Sequence, residues 1–346
     1  MNRLSAIEEI EIHFPTNGSF CAGDYSYETI LLDIGPRFTG DCRSPRALTH
    51  SLTRLSLCPQ DWGQSIHSRY LCRLIASVPS TRGIVLDSLS DGDYDDSEVE
   101  EQYTYDPGTR PMALIEGLTR LRNLSLESCS IGEGDESWKS MRLRSPLRAI
   151  VARGNSFLGI DDLVALVRKV TKSIESITYE CDPETVCSFD RESRAKEREA
   201  NLRAPFDSTL LCPRLEVLDV VDLADRCVAL VRRLGLLDRG CSLEVLKLDG
   251  YPERTDVFDR PPETEARLPL INWRELLAKQ TSLKRIELGG TFSRTGAQSH
   301  QGPALLAAAS SSGVIVDIDD GETKGSDVSS DMDDDELVAP AILQAL

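Results

Sequence analysis

Apolar residues return along this chain in two alternating rhythms. One is a short beat of period two, as in Leu124 and Leu126, Leu218 and Val220, or Leu246 and Leu248. That spacing puts the apolar side chains on one face of a β-strand. It is embedded in a longer phrase: Leu118, Leu121, Leu124, Leu126, Cys129 and Ile131 are spaced L-x-x-L-x-x-L-x-L-x-x-C-x-I. Shorter copies of its core begin at positions 52, 81, 147, 174, 215, 243 and 283, and the chain opens with Leu4, Ile7, Ile10 and Ile12. Counting the full phrase at 121, the first positions advance by 26–29 residues or by 40–41. A steady period interrupted by insertions is the mark of a repeat array.

Between the strand signals the second rhythm appears, with period 3.6. Ile66, Tyr70, Leu71, Leu74, Ile75 and Val78 fall on one helical face, as do Leu163, Leu166, Val167 and Val170. Val228, Leu230, Val231 and Leu234 predict a third helix, and Trp273, Leu276 and Leu277 a fourth. Asp161 and Asp162 open the second helix, where carboxylates suit the free N–H groups and the positive end of the dipole. A strand, a turn, a helix and a parallel return make one unit. No such unit buries its own apolar face, so neighbours must stack.

The phrase running C-P-R-L-E-V-L-D-V from Cys212 to Val220 and its partner C-S-L-E-V-L-K-L from Cys241 to Leu248 resemble leucine-rich repeats of the ribonuclease-inhibitor-like superfamily, in particular F-box/leucine-rich-repeat-type proteins. The resemblance covers roughly residues 45–318. It implies an α/β leucine-rich-repeat solenoid, a curved horseshoe with a parallel concave sheet and outer helices. It implies a non-catalytic protein-interaction module, a substrate-recognition array docking onto a ubiquitin-ligase adaptor. The F-box that performs the docking is not recognisable here. The chain opens almost directly on a repeat-like strand, as expected if the module is lost, the chain is truncated, or the protein stands outside the ligase group. Two other families join leucine-rich repeats to acidic tails, and they imply the alternatives: a GTPase regulator similar to Ran GTPase-activating proteins, or a binder of histones and other basic proteins.

Charge refines the domain picture. The formal net charge is −18. Residues 89–107 hold eight acids and no base, and Asp317–Leu346 holds ten acids against Lys324. These two segments carry nearly all of the net charge, so the repeat body is almost neutral. The expected organisation is a repeat domain over 1–318, with an acidic loop at 89–107, a charged insertion at 183–206 and another insertion at 251–267. An acidic disordered tail at 319–346 follows, because like charges repel and little is available to bury. Ser326, Ser329 and Ser330 lie among its acids as candidate phosphorylation sites. The apolar end from Leu337 to Leu346 reads as an inert terminus or a short docking motif.

No apolar run reaches the roughly 20 residues of a membrane helix, and acids replace the apolar core of a signal peptide at the N-terminus. The expectation is an intracellular protein, cytoplasmic or nuclear, that engages neither membrane nor nucleic acid. The basic residues of 183–206 are interleaved with acids, which favours a solvated helix or loop over a phosphate-binding patch. Cys58, Cys72, Cys129, Cys212, Cys227 and Cys241 sit in or beside repeat elements and read as reduced core residues. Cys181 and Cys187 read as part of a polar loop and match no common zinc pattern.

The residues offer no catalytic set, no metal site and no cofactor motif. His13, His50, His67 and His300 are scattered, and there is neither a Gly-x-Ser-x-Gly elbow nor a Walker loop. The glycine-rich stretch from Gly154 to Gly159 places Asn155 at the asparagine slot of the repeat, where its side chain would cap backbone groups. The candidate surface is the concave sheet. One outward row reads Asp87, Glu127, Arg153, Glu180, Val221 and Asp249, and the next Ser56, Val85, Ser125, Val151, Thr178, Asp219, Lys247 and Glu287. The charged members form an acidic strip broken by Arg153 and Lys247, suited to a partner with a basic or mixed-charge surface.

Overall fold

The computed structural model describes residues 9–14, 54–59, 66–67, 81–90, 111–131, 138–182, 196, 199–201, 210–251, 271–290, 292 and 302–319. The acidic loop beyond Ser90, most of the two charged insertions and the tail beyond Asp319 lie outside them.

The described residues form twelve strands: β1 (Glu9–Phe14), β2 (Arg54–Pro59), β3 (Ile66–His67), β4 (Gly83–Asp87), β5 (Leu89–Ser90) and β6 (Asn123–Glu127), then β7 (Ala149–Asn155), β8 (Ser176–Cys181), β9 (Val217–Leu223), β10 (Val245–Tyr251), β11 (Arg285–Gly289) and β12 (Ile315–Ile318). Five helices intervene among the described residues: α1 (Pro111–Gly117), α2 (Ile160–Val170), α3 (Ala224–Arg233), α4 (Trp273–Lys279) and α5 (Gly302–Ser312). Ten strands make one all-parallel sheet in the order β1-β2-β4-β6-β7-β8-β9-β10-β11-β12, and β3 pairs with β5 alone. The order in the sheet is thus the order in the chain, so each crossover returns to lie beside the strand it left.

The period-two signal explains this sheet. Ile84, Leu124, Ile150, Ile177, Leu218, Leu246 and Ile286 pair laterally at one level. Leu86, Leu126, Ala152, Tyr179, Val220, Leu248 and Leu288 pair at the next, and all fourteen are essentially inaccessible. The buried faces of α2 and α3, with Leu163, Leu166, Val167, Val228, Leu230 and Val231, complete the same core. At about 1.5–3 kcal/mol per buried aliphatic side chain, these ladders are the main driving force for stacking.

Backbone geometry repeats with the side chains. The carbonyls of Arg82, Arg122, Arg148, Glu175, Glu216 and Glu244 each accept two N–H groups from the following unit. At the far end of the strands, Ser88, Ser128 and Gly154 share a left-handed conformation, with φ of 52°, 52° and 59°. Glycine adopts it without strain, whereas the two serines are held there as their N–H groups donate to Glu127 O and Arg153 O respectively. Beyond this turn Asn155 is buried. Its Oδ1 accepts from Cys129 N at 3.0 Å and its Nδ2 donates to Leu126 O at 2.9 Å, the capping role its position predicts.

Two sequence readings need correction. The helix expected from Ile66 does not begin there, because Ile66 and His67 are extended by parallel pairing with Leu89 and Ser90; residues 68–80 of that prediction lie outside the described residues. Cys181 is not in a loop. It ends β8 opposite Asn155 and is buried, since the inward alternation of the strand runs one step further than its polar neighbours suggest.

Candidate functional site: the open face of the sheet

Since every second strand residue points into the core, the alternate ones line the other face, and among the described residues no element packs over it. The register brings the predicted positions together. Asp87, Glu127, Arg153, Glu180, Val221 and Asp249 stand side by side at one level. Ser56, Val85, Ser125, Val151, Thr178, Asp219, Lys247 and Glu287 stand at the level below. Asp317 extends the lower row onto β12. Arg153 is exposed, and the other seven charged candidates are half-buried.

Local contacts divide this surface into two unlike halves. On the β9–β12 side the charges satisfy one another. Lys247 Nζ lies 3.8 Å from Asp219, and Arg285 Nε lies 3.0 Å from Glu287 and 2.7 Å from Asp317. Asp249 leans over Gly289, where a Cβ would come within 2.7 Å of its carboxyl carbon, so glycine is what makes room for it. On the β4–β8 side the upper row stays acidic except for Arg153, with Ser125 Oγ donating to Glu127 at 3.0 Å and Ser88 Oγ to Asp87 at 3.0 Å. Tyr251 reaches back across β9 to donate its hydroxyl to Glu180 at 3.1 Å.

The electrostatics follow from crowding. Burial pushes the carboxyls of Asp87, Asp219 and Asp249 above the ordinary aspartate value. Glu127 adds to this for Asp87, while Lys247 and Arg153 oppose it at Asp219. Burial and then Glu180 raise the Tyr251 phenol. A neighbouring cation opposes these shifts, as Lys247 does at both Asp219 and Asp249.

One further row completes the face and a second lies at the edge of the sheet, and the sequence reading passed over both. Below the Ser56–Glu287 level lies a third row of Arg54, Gly83, Asn123, Ala149, Ser176, Val217 and Val245, uncharged between Arg54 and Arg285. With Val85, Ser125, Val151 and Thr178 it forms a small-residue platform across β4–β8. Beyond it, at the edge of the sheet and in the alternation of the core residues rather than of the open face, successive units bring the backbones of Arg82, Arg122 and Arg148 side by side, then those of Glu175, Glu216 and Glu244. Arg148 and Glu175 meet at the junction, 3.6 Å apart. Carrying the strand alternation one step toward the N-terminus would have found the platform. The edge row needed the stacking order of the units.

Elsewhere, titratable groups are occupied in the interior. Asp222 is fully buried, accepts from Leu223 N at 2.6 Å and has Arg226 at 3.6 Å. Burial raises its carboxyl, which Arg226 opposes. The neighbouring thiols of Cys181 and Cys227 are raised as well, first by burial and then by Asp222. A shallow cavity of about 530 Å³ on the helix side is lined by Lys139, Asp161, Val164, Ala165, Arg168, Lys169 and Arg233. Arg233 pairs with Asp161, and Lys169 donates to the carbonyls of Trp138 and Lys139. Among the described residues no group of three or more His, Cys, Asp or Glu side chains is placed to hold a metal ion. No described helix is long and apolar enough to cross a membrane. No protein-family model matches the chain, and comparison with curated proteins finds no match.

Proposed function

We propose that this chain is a leucine-rich-repeat solenoid, curved as a horseshoe, that acts as a non-catalytic protein-interaction module through the open face of its sheet. The observation that carries this reading is the lateral register: the same alternation that builds the core sets charged and small side chains in continuous rows on a surface that no described element covers. At about 4.8 Å between strands, ten strands spread that surface over about 43 Å, the scale of a protein partner rather than a small molecule. The buried free thiols of Cys129, Cys181, Cys212 and Cys227 suit a reducing, intracellular setting.

The partner fitted by these rows has a basic or mixed-charge surface. The resemblance of the Cys212 and Cys241 phrases to F-box/leucine-rich-repeat proteins makes a ubiquitin-ligase substrate the leading version. The carboxylates of the upper row support a second, the capture of histones or other basic proteins. Regulation of a Ran-like GTPase is a third reading, resting on the joining of long repeats to an acidic tail.

Affinity purification from native extract tests this, with the full chain beside the Glu127→Lys/Glu180→Lys variant. A defined protein partner retained by the wild type and lost from the folded variant is the expected result. Co-purification of a cullin and its adaptor would favour the ligase version. A partner retained equally by both proteins would overturn the assignment of the open face.

A further inference from the structure

The core columns of the sheet end on a half-open rung. Ile286 and Leu288 on β11 are essentially inaccessible, but their register partners Val316 and Ile318 on β12 are only half-buried. Every inner rung has a unit on either side, whereas among the described residues no strand lies beyond β12. The backbone is open in the same direction. Ile315 N donates to Lys284 O and Asp319 N to Leu288 O. Parallel pairing alternates, so the N–H and C=O groups of Val316 and Ile318 are turned away from β11. Beside them Ile315 is 62% exposed. A stacked array needs a cap at such an end, because a bare strand with half-covered aliphatic side chains invites further pairing.

We infer that Leu337–Ala339 of this same chain seats there as an eleventh parallel strand and caps the array. These residues lie outside the described ones, and their sequence suits the place. Leu337-Val338-Ala339 repeats the order of Ile150-Val151-Ala152 in β7, where Ile150 and Ala152 are fully buried rungs of the core. Leu337 follows Val316 by 21 residues, within the roughly 20–29 of one leucine-rich repeat. Residues 319–336 supply 18 residues for the crossover, more than the dozen or so that a parallel return needs. Pro340 then stops the ladder. With Leu337 beside Val316 it falls opposite Asp319, one position past β12, and it has no N–H to give.

The chain's own segment is favoured over a second copy at this end. β12 offers only four residues, about 13 Å of strand, and a stable complex buries about 800 Å² on each partner. Two copies meeting there would also bring together Asp317, Asp319 and the acids that follow, whereas Leu337–Leu346 carries no charge. A tethered segment needs less contact area, because its effective concentration is about millimolar. Seating it closes residues 319–336 into an acidic loop beside Asp317, so the charge of this stretch is held at the end of the sheet.

Amide exchange in the full-length protein, read residue by residue by mass spectrometry, tests the cap. In the added strand Val338 N donates to Val316 O, and Val316 N donates to Glu336 O. The Val316 amide is therefore expected to exchange at least about tenfold more slowly than in an unstructured peptide. Leu337→Asp, which removes the core rung, and Val338→Pro, which removes the donor, are each expected to restore fast exchange at Val316. Tyr179 in β8 should keep its wild-type rate in both, as the readout that the body is folded. Val328→Asp places the same added charge in the crossover and is expected to change nothing. Fast exchange at Val316 in the wild type would overturn the cap. So would protection that survives both strand substitutions, or that Val328→Asp abolishes equally. Protection that rises with protein concentration, alongside a dimer in sedimentation, would assign this end to a second copy and overturn it too.

Discussion

Asn155 offers the sharpest test of how the units lock together. Its amide accepts from Cys129 N at 3.0 Å and donates to Leu126 O at 2.9 Å, and both partners are buried. One unit earlier Cys129 holds the equivalent place, its thiol donating to Leu86 O at 3.3 Å, where Leu86 is the register partner of Leu126. Asn155→Ala removes both bonds and strands a buried N–H and a buried carbonyl, at about 1–1.5 kcal/mol each, or about 2–3 kcal/mol in total. Asn155→Cys keeps a donor for Leu126 O, as Cys129 does for Leu86 O, but offers Cys129 N nothing of comparable strength. It should therefore cost about half as much. Guanidinium denaturation gives both free energies, and amide exchange at Cys129 should accelerate in both variants. The reasoning fails if the alanine variant lies within about 0.5 kcal/mol of wild type, or if cysteine is as damaging as alanine.

Two further outcomes follow from the electrostatics. Burial pushes the Cys212 thiol up to about 12 and raises those of Cys181, Cys227 and Cys241. Iodoacetamide at pH 8 should label Cys241, the half-buried one, first, and the others only on unfolding; rapid native labelling of Cys212 in peptide mass spectra would contradict this. For Asp87, Asp219 and Asp249 the folded values lie above the ordinary aspartate range, so these groups take up protons earlier as pH falls. Affinity for a cationic partner should then be complete at neutral pH and decline on acidification through those raised values, before ordinary carboxylates titrate. An affinity unchanged down to pH 4 would show that they do not contact it.

How much was legible beforehand depends on the range of the interaction. The strands around Leu124, Leu218 and Leu246 were readable because alternation with period two is local, and α2 and α3 because Leu163 to Val170 and Val228 to Val231 keep helical spacing. Asn155 was readable because its role is set by position within one unit. Ile66 and Cys181 were misplaced because pairing with a distant strand and burial by the following unit decided them.

The chain's own pattern thus determined an α/β fold, the faces of its strands and the charged rows of the candidate surface. What only the tertiary structure decided is which charges meet across units. Lys247 is taken up by Asp219, and Arg285 by Glu287 and Asp317. The backbones of Arg82, Arg122 and Arg148 come together at the edge of the sheet although 40 and 26 residues separate them in sequence. Periodicity along a chain records which face a residue occupies, whereas the neighbours it finds there are fixed by the stacking of backbone hydrogen bonds from one unit to the next.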